Sequence, residues 1–600
     1  MFKEMARYHL RLFIIIAAIL VCCRSQPSGK CPTVCQCYLD PKGRHTVECK
    51  HGGMKGSLQF SNMSMGIEVL KISAPDDNMN DLSMNPGIRQ FRQLEEIHIT
   101  KSNIPNLGEK FFYGLSKLEV LNLAQNNITQ PLPTNFLGLI RLQQLSLDDN
   151  RIDSLPSETF RHLTDLRMLS VQQNRIQQIA PGVFRGLIKL RVLKLSWNYI
   201  RHFEAEVFKD LRDLRRLECR GCQLKAINRH VVELLPLLSH LDLSENEIKV
   251  LDTGDFSNTT NLRVLRLDAN QIRDLPGYVL GTHAGLTNLS LARNQIANIA
   301  NDAFANLVNL TALDLGYNNL KHLTSDALTD TLGSLERLVL SGNRIALIEL
   351  KRALHDATLK DLQLADCSIA EINAVFIPDT VTTLNLANNQ LSYLSVTVLP
   401  PSLRDLDISG NLFRGLEQEV VEKDIHFKLD HNPWSCDLCH IIPMLERVNR
   451  SEDLYKVRCA LPYHHTKKVL GTILREDLSW CNADGYSSEG INFFLSRDDG
   501  RLGIFAAAAS LLLLVITTFA VLAALCYSRR HAANYYTHED KRDEKESIFE
   551  NLNPSPIFGG EELSFKFPLE VNDMKISIAT IDEIRKEHDS NSTTTTLTGT

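Results

Sequence analysis

Leucine returns every 24 residues along most of this chain, in the pattern Leu-x-x-Leu-x-Leu-x-x-Asn/Cys-x-Leu. The pattern opens at Leu94, Leu118, Leu142, Leu166, Leu190, Leu214, Leu238, Leu262, Leu286 and Leu310 without a slip. It continues at Leu335, Leu359, Val381 and Leu403 with slightly altered spacing, which makes 14 units. Chance alternation of leucine drifts, so a long run in phase marks an internal repeat. Within each unit the Leu-x-Leu core, such as Leu145-Ser146-Leu147, alternates with period two, as a short strand with one buried face does. A lone unit cannot bury its leucines. The units must therefore stack, strand beside strand, into one long parallel sheet.

Two further registers run in phase with the leucines. The polar position after each strand holds Asn126, Asn150, Asn174, Asn198, Asn246, Asn270, Asn294, Asn318, Asn343, Asn389 and Asn411. Phe112, Phe136, Phe160, Phe184, Phe208, Phe256 and Phe304 each stand six residues before a unit start and should stack as a spine under the convex side. The segments between strands are long enough for a helical turn or irregular structure, not for long helices.

This pattern resembles the leucine-rich repeat of the extracellular type. The resemblance implies an α/β solenoid, a parallel-sheet horseshoe, whose Asn side chains turn inward and hydrogen-bond the backbone where each strand bends away. A buried amide is tolerable only when satisfied in that way. The repeat also accepts Cys at that position, here Cys222 and Cys367. Cys219 sits where a buried Leu belongs. The plain reading makes these three small core thiols; a Cys219–Cys222 bridge is the alternative.

A solenoid end exposes an apolar face and needs a cap. Upstream stand Cys31, Cys35, Cys37 and Cys49; downstream Asn432-Pro433-Trp434 leads into Cys436, Cys439, Cys459 and Cys481. Both sets resemble the cysteine-rich flanks of extracellular leucine-rich repeat proteins. That resemblance implies Cys31–Cys37, Cys35–Cys49, Cys436–Cys459 and Cys439–Cys481 pairing, which spacing alone does not prove. Cys436-x-x-Cys439 beside His431 and His440 has spacing that zinc accepts. An oxidising lumen favours disulfides instead, so no metal or cofactor is expected.

The expected organisation follows. Residues 1–25 read as a signal peptide, with Lys3, Arg7 and Arg11 before an apolar run. Residues 26–66 form the N-terminal cysteine-rich cap, 67–424 the repeats, 425–481 the C-terminal cap and 482–501 a polar stalk. Residues 502–526 lack charge and are long enough for one transmembrane helix. Arg529 and Arg530 follow directly, which favours a cytoplasmic tail over 527–600, expected to be disordered. The chain is thus expected to be a single-pass type I protein of the plasma membrane with its repeats outside. Sequons at Asn62, Asn127, Asn258, Asn288, Asn309 and Asn449 are candidate N-glycosylation sites; Asn591 should stay bare. Tyr535, Tyr536 and Ser555 are candidate tail phosphorylation sites.

No phosphate loop, metal-spaced His/Glu helix or nucleophile elbow is recognisable, so the chain does not read as an enzyme. The net charge of −6 and the lack of a basic face argue against nucleic acid. The concave face is the place to seek function: 14 strands at about 4.8 Å each give an arc of roughly 65 Å. Its candidate partner-binding residues are Gln144, Asp148, Gln172, Lys194, Trp197, Arg216, Glu218, Arg220, Asp242 and Arg266. Trp197 is the one large aromatic among them, and interface hot spots favour Trp and Arg.

Repeats, two cysteine flanks, one span and a short tail together resemble cell-surface adhesion and guidance receptors. Among them the layout is most similar to the Capricious/Tartan and connectin group of insects, or to the synaptic leucine-rich repeat transmembrane proteins of vertebrates. The resemblance implies a receptor that binds a protein on another cell for adhesion, recognition or guidance, with a short signalling tail. The alternative is a co-receptor or regulator of a growth-factor or innate-immune receptor in the same membrane. Self-association into a homo-oligomer is open in either case. A Toll-like sensor fits less well, because 74 tail residues cannot hold a Toll/interleukin-receptor domain.

Overall fold

A computed structural model of the chain describes residues 30–57, 60–257, 259–372 and 377–480. Among them runs an 18-stranded sheet in which neighbouring strands are parallel, except where Gln36–Leu39 meets His45–Cys49. Each turn contributes about three residues, and every step keeps one register: Leu145, Leu169, Leu193, Leu217, Leu241 and Leu265 face one another in line. These leucines are buried, as are the second leucines of the same strands. The residues on either side of the first leucine, such as Gln144 and Ser146, form two outward columns.

The sheet is longer than the repeat pattern. His45–Cys49 pairs with Val69–Ile72 at one end, and His426–Lys428 pairs with Asp405–Asp407 at the other. Both end strands lie in the cysteine-rich flanks, so the caps continue the sheet as well as cover it. The helical pieces between strands are short; Leu347–Ala353, with 7 residues, is the longest described.

An amide ladder holds the turns together. The Asn150 side-chain amide donates to the carbonyls of Leu123 (3.0 Å), Leu147 (3.0 Å) and Asp148 (3.1 Å). Its oxygen accepts from the Ile128 N–H at 3.0 Å. Each Asn thus ties its own turn to the one before. Asn246 carries more: its oxygen accepts from both Cys222 (2.9 Å), which stands where the preceding Asn would, and Leu224 (3.0 Å). Asn389 does the same beside Cys367. Asn432 carries the ladder into the C-terminal cap, accepting from Asn411 and Phe413. No buried side-chain nitrogen or oxygen among the described residues lacks a partner.

Behind the sheet the seven phenylalanines are buried, and Phe160 lies nearly parallel to Phe184 at 6.4 Å between ring centroids. The spine breaks at Val232, and a small apolar void of about 20 Å³ lies between that residue, Phe203, Leu217 and Leu241. The spine breaks again at Leu280, and a neighbouring leucine register carries a polar break. Thr259 and His283 occupy positions that hold leucine in most turns, at Leu139, Leu163, Leu187, Leu211 and Leu235. Both are fully buried, and they satisfy each other. The Thr259 hydroxyl donates to the Phe256 carbonyl (2.9 Å) and its oxygen lies 3.1 Å from Nε2 of His283, whose Nδ1 is 3.2 Å from the Leu280 carbonyl.

The caps are disulfide-bonded. Cys31 is joined to Cys37, Cys35 to Cys49 and Cys436 to Cys459. Cys439 is also disulfide-bonded, so the Cys-x-x-Cys pair offers zinc no thiolates; Cys481 lies outside the described residues. Trp434 is buried against Phe413 and donates to the Leu429 carbonyl at 2.9 Å. One expectation is corrected. Cys219 and Cys222 are not core thiols but a disulfide, because the strand's turn brings their Cα atoms to 5.6 Å. Cys367 stays a free thiol, its pKa pushed up to about 11 by burial.

Two outcomes follow from this packing. Asn246→Leu orphans two buried N–H groups and three carbonyls, and should cost about 3 kcal/mol or more; Gln144→Ala, at an exposed strand position, should stay within about 0.5 kcal/mol. Equal melting losses for the two would contradict the ladder. His283 gives a pH signature. Burial holds its imidazole below the ordinary histidine range, so the native ring is neutral. Below about pH 6.5 the unfolded chain takes up a proton that the native chain refuses. Stability is therefore full above that pH and falls as pH drops through it. The melting temperature of the natural chain should fall more than that of His283→Leu between about pH 7.5 and about pH 5.5; parallel curves would rule His283 out.

Candidate functional site: the concave sheet and its loop edge

The outward columns of the sheet bring the candidate residues together. Gln144, Met168, Val192, Arg216, His240, Val264 and Asn288 form one column. Ser146, Ser170, Lys194, Glu218, Asp242, Arg266 and Ser290 form the other. Opposite charges thus sit directly across from one another in the middle turns, an arrangement that stabilises a sheet. Lys194 lies 3.6 Å from Glu218, and Arg216 is bonded to the same carboxylate.

Several candidates are occupied by the fold itself. Asp148 accepts from Ser146 (3.0 Å), Ser170 (2.5 Å) and the Gln172 N–H (2.8 Å). Gln172 donates its side-chain amide to Ser170 at 3.2 Å. Asp242 accepts from the Ser244 N–H at 3.0 Å and from its hydroxyl. Asp148 thus braces its turn to the next, and Gln172 and Asp242 are bonded within their own turns. Gln144, Arg216, Arg220, Arg266 and Trp197 are the candidates that remain exposed.

Two hollows of about 280 and 290 Å³ open on this face. The first is lined by Arg216, Glu218, His240, Asp242, Arg266 and Asn288. The second adds Asp268, Asp314 and Arg337. Burial raises the pKa of Asp268 and of Asp314 above the usual carboxylate range. Neither acid is among the sequence candidates. Their register, one column behind Arg266 or level with it, was the available signal. Asn288, a sequon residue, stands exposed on the rim shared by both hollows. Asn62, Asn309 and Asn449 are also exposed, Asn127 is half-buried, and Asn258 lies outside the described residues.

The edge of the sheet carries a second feature. The residue before each ladder position takes a left-handed backbone: Gln173 (φ 53°), Trp197 (φ 60°), Glu245 (φ 54°), Arg293 (φ 55°) and Tyr317 (φ 53°). Such conformations cost L-residues roughly 1–2 kcal/mol, and the amide ladder holds them in place. Two stations stand out on this edge. Trp197, 46% exposed, lies on Gly221, where a Cβ would meet its ring at 2.6 Å. The Arg220 guanidinium stands 5.6 Å from the indole centre and is paired with Glu245. Arg220 and Gly221 are the two residues closed off by the Cys219–Cys222 bond, so the disulfide holds the loop that carries the stack. Five turns on, Tyr317 repeats the plan, lying on Gly342 with Arg293 at 5.3 Å and donating to Asp366 at 2.7 Å.

Gly221→Ala would push Trp197 off its seat. The expected outcome is an altered near-ultraviolet dichroism band for the tryptophans and a modest melting loss, while Gly333→Ala, facing open space, leaves both unchanged. An unaltered band in Gly221→Ala would count against the stack.

The leucine rich repeat family model matches residues 92–152, 140–200, 165–224, 214–272 and 284–345, so these turns are leucine-rich repeats. Comparison with curated proteins gives no match. Among solved structures, a chain of the Toll–Spatzle complex, described as a hub in Drosophila development and innate immunity, is 23% identical with a TM-score of 0.52. The match covers 70% of this chain and 58% of that one, so the chain spans little more than half of that relative. The TLR13–ssRNA13 complex matches with 18% identity and a TM-score of 0.51, over 72% of this chain and 68% of that one. A leucine-rich repeat protein of Leptospira interrogans matches with 26% identity and a TM-score of 0.50, over 59% of this chain and 88% of that one. These likenesses show a shared solenoid fold. Among the described residues no helix is long and apolar enough to cross a membrane; the run at 502–526 lies outside them.

Proposed function

We propose that this chain is a cell-surface receptor that holds a protein partner against the concave face and loop edge of its repeats, for adhesion, recognition or guidance. The observation that carries the reading is the Trp197–Arg220 station. A half-exposed indole on a fixed backbone, stacked under a guanidinium in a disulfide-closed loop, loses little entropy when a partner covers it. Arg216, Arg266 and the two hollows lie on the concave face of the turns that follow and supply polar contacts. Bonded cysteines in both caps and in the sixth of the 14 pattern units support an oxidising compartment. The uncharged run at 502–526 supports a single membrane span. Receptor-type neighbours in the fold comparison agree with a binding role without defining the partner.

The test uses the full-length chain on cultured cells, screened against a panel of secreted and cell-surface ectodomains. The expected result is a saturable protein ligand. Trp197→Ala with Arg220→Ala should weaken it about thirtyfold or more, at unchanged surface level. Unchanged affinity would move the site away from this edge. A C-terminal tag stained without permeabilising the cells would sink the type I reading.

A further inference from the structure

Four consecutive turns each place a basic residue three positions after the ladder residue. Arg201 follows Asn198, Lys225 follows Cys222, Lys249 follows Asn246 and Arg273 follows Asn270, at a constant spacing of 24 residues. The residue before each is buried: Ile200, Leu224, Ile248 and Ile272 are all between 0% and 2% exposed. Consecutive turns are hydrogen-bonded beside them, Glu247 N–H to the Leu224 carbonyl and Gln271 N–H to the Ile248 carbonyl, each at 2.8 Å. The next residue must therefore point outward, and all four basic residues are exposed. Strand stacking spaces them about 5 Å apart, in a row about 15 Å long.

None of the four is ion-paired to a described residue, and two nearby acids are engaged elsewhere. Glu204 pairs with His202 at 3.2 Å, and Asp274 accepts from Asn298 at 2.7 Å. Glu247 and Asp252 flank Lys249 in sequence without bonding to it. On the other flank of the same turns several bases are neutralised: Lys189 pairs with Asp165 (2.5 Å), and Arg191 (3.1 Å) and Arg215 (3.4 Å) share Asp213. The overall charge of −6 hides this row.

We propose that the row Arg201, Lys225, Lys249 and Arg273 is a binding track for a sulfated linear polysaccharide. A straight ladder of unpaired cations at regular spacing matches a polymer that carries an anionic group every few ångströms, and binding would release condensed counterions. Single-stranded nucleic acid asks for an aromatic ring per stacked base, and among the described residues the exposed rings beside the row are Tyr199 and His202, both at its Arg201 end. The disulfide-bonded fold suits the oxidising compartments in which sulfated glycans occur. The track lies beyond the Trp197 edge and does not depend on the protein-partner reading.

Heparin is the probe, immobilised for surface plasmon resonance with the full-length chain in detergent micelles at about 0.15 M salt. Two variants carry the same charge change: Arg201→Gln with Lys225→Gln, Lys249→Gln and Arg273→Gln, and a control of Arg141→Gln, Arg167→Gln, Arg212→Gln and Arg263→Gln. With melting temperatures unchanged, the track variant should lose about tenfold or more in affinity and show a shallower salt dependence, the control about twofold or less. Equal losses would reduce the effect to net charge and overturn the proposal, as would a natural chain that ignores heparin. Single-stranded DNA held as tightly as heparin, and lost in the same variant, would replace the polysaccharide with nucleic acid.

Discussion

One buried side-chain amide per turn is the interaction on which this structure rests. The leucines supply the apolar core, but burial is not directional and cannot set how one turn sits on the next. The amide does so, because its two donors and one acceptor reach main-chain groups in two successive turns, as Asn150 does with Leu123, Leu147 and Ile128. With those groups satisfied, the chain can leave each strand abruptly without stranding main-chain donors in the core. The left-handed residue before each amide, the exact alignment of the outward columns and the closeness of successive loops all depend on it.

The sheet was legible because its cause is periodic. Leucine spacing located the strands, and the Asn register located the turns. What the pattern does not carry is how outward side chains divide their hydrogen bonds. Asp148 and Asp242 look like free concave carboxylates in sequence, yet Asp148 is spent on a serine hydroxyl and an N–H of the next turn, and Asp242 on the hydroxyl and N–H of Ser244 in its own turn. The Cys219–Cys222 bond was read the wrong way for a related reason: the repeat tolerates Cys at one of the two positions, so the local geometry had to decide. The strand His45–Cys49 carries only one of the expected leucine-type residues in register, Val47, and hides among cap cysteines. The row from Arg201 to Arg273 is in plain view as a 24-residue period, but its significance depends on which acids pair with which bases, and that requires coordinates.

The departures from the repeat gather in the middle of the described turns. Val232 interrupts the phenylalanine spine beside a small void, Thr259 and His283 replace leucines, and a disulfide replaces an amide at Cys222. These turns lie behind the concave hollows that Arg216, Asp242, Arg266 and Asp268 line. A solenoid's stability is close to a sum over neighbouring turns, so weaker packing here is not averaged away by the rest. The disulfide counters it by restricting the same segment, which places a covalent brace where the side-chain packing is least regular.

The left-handed edge position has a consequence for how such a chain can change over time. Gln173, Trp197, Gly221, Glu245, Ala269, Arg293, Tyr317 and Gly342 occupy equivalent places with φ between 51° and 73°. Bulky, small, acidic, basic and aromatic residues are all accepted there, because the geometry is imposed from inside by the neighbouring amide and not by the side chain itself. Among the non-glycine members a substitution alters what the edge displays and leaves the scaffold as it was; at Gly221 and Gly342 a Cβ would meet the ring of Trp197 or Tyr317. The edge is therefore a line of interchangeable letters on an invariant spine, where new specificities are reachable one residue at a time.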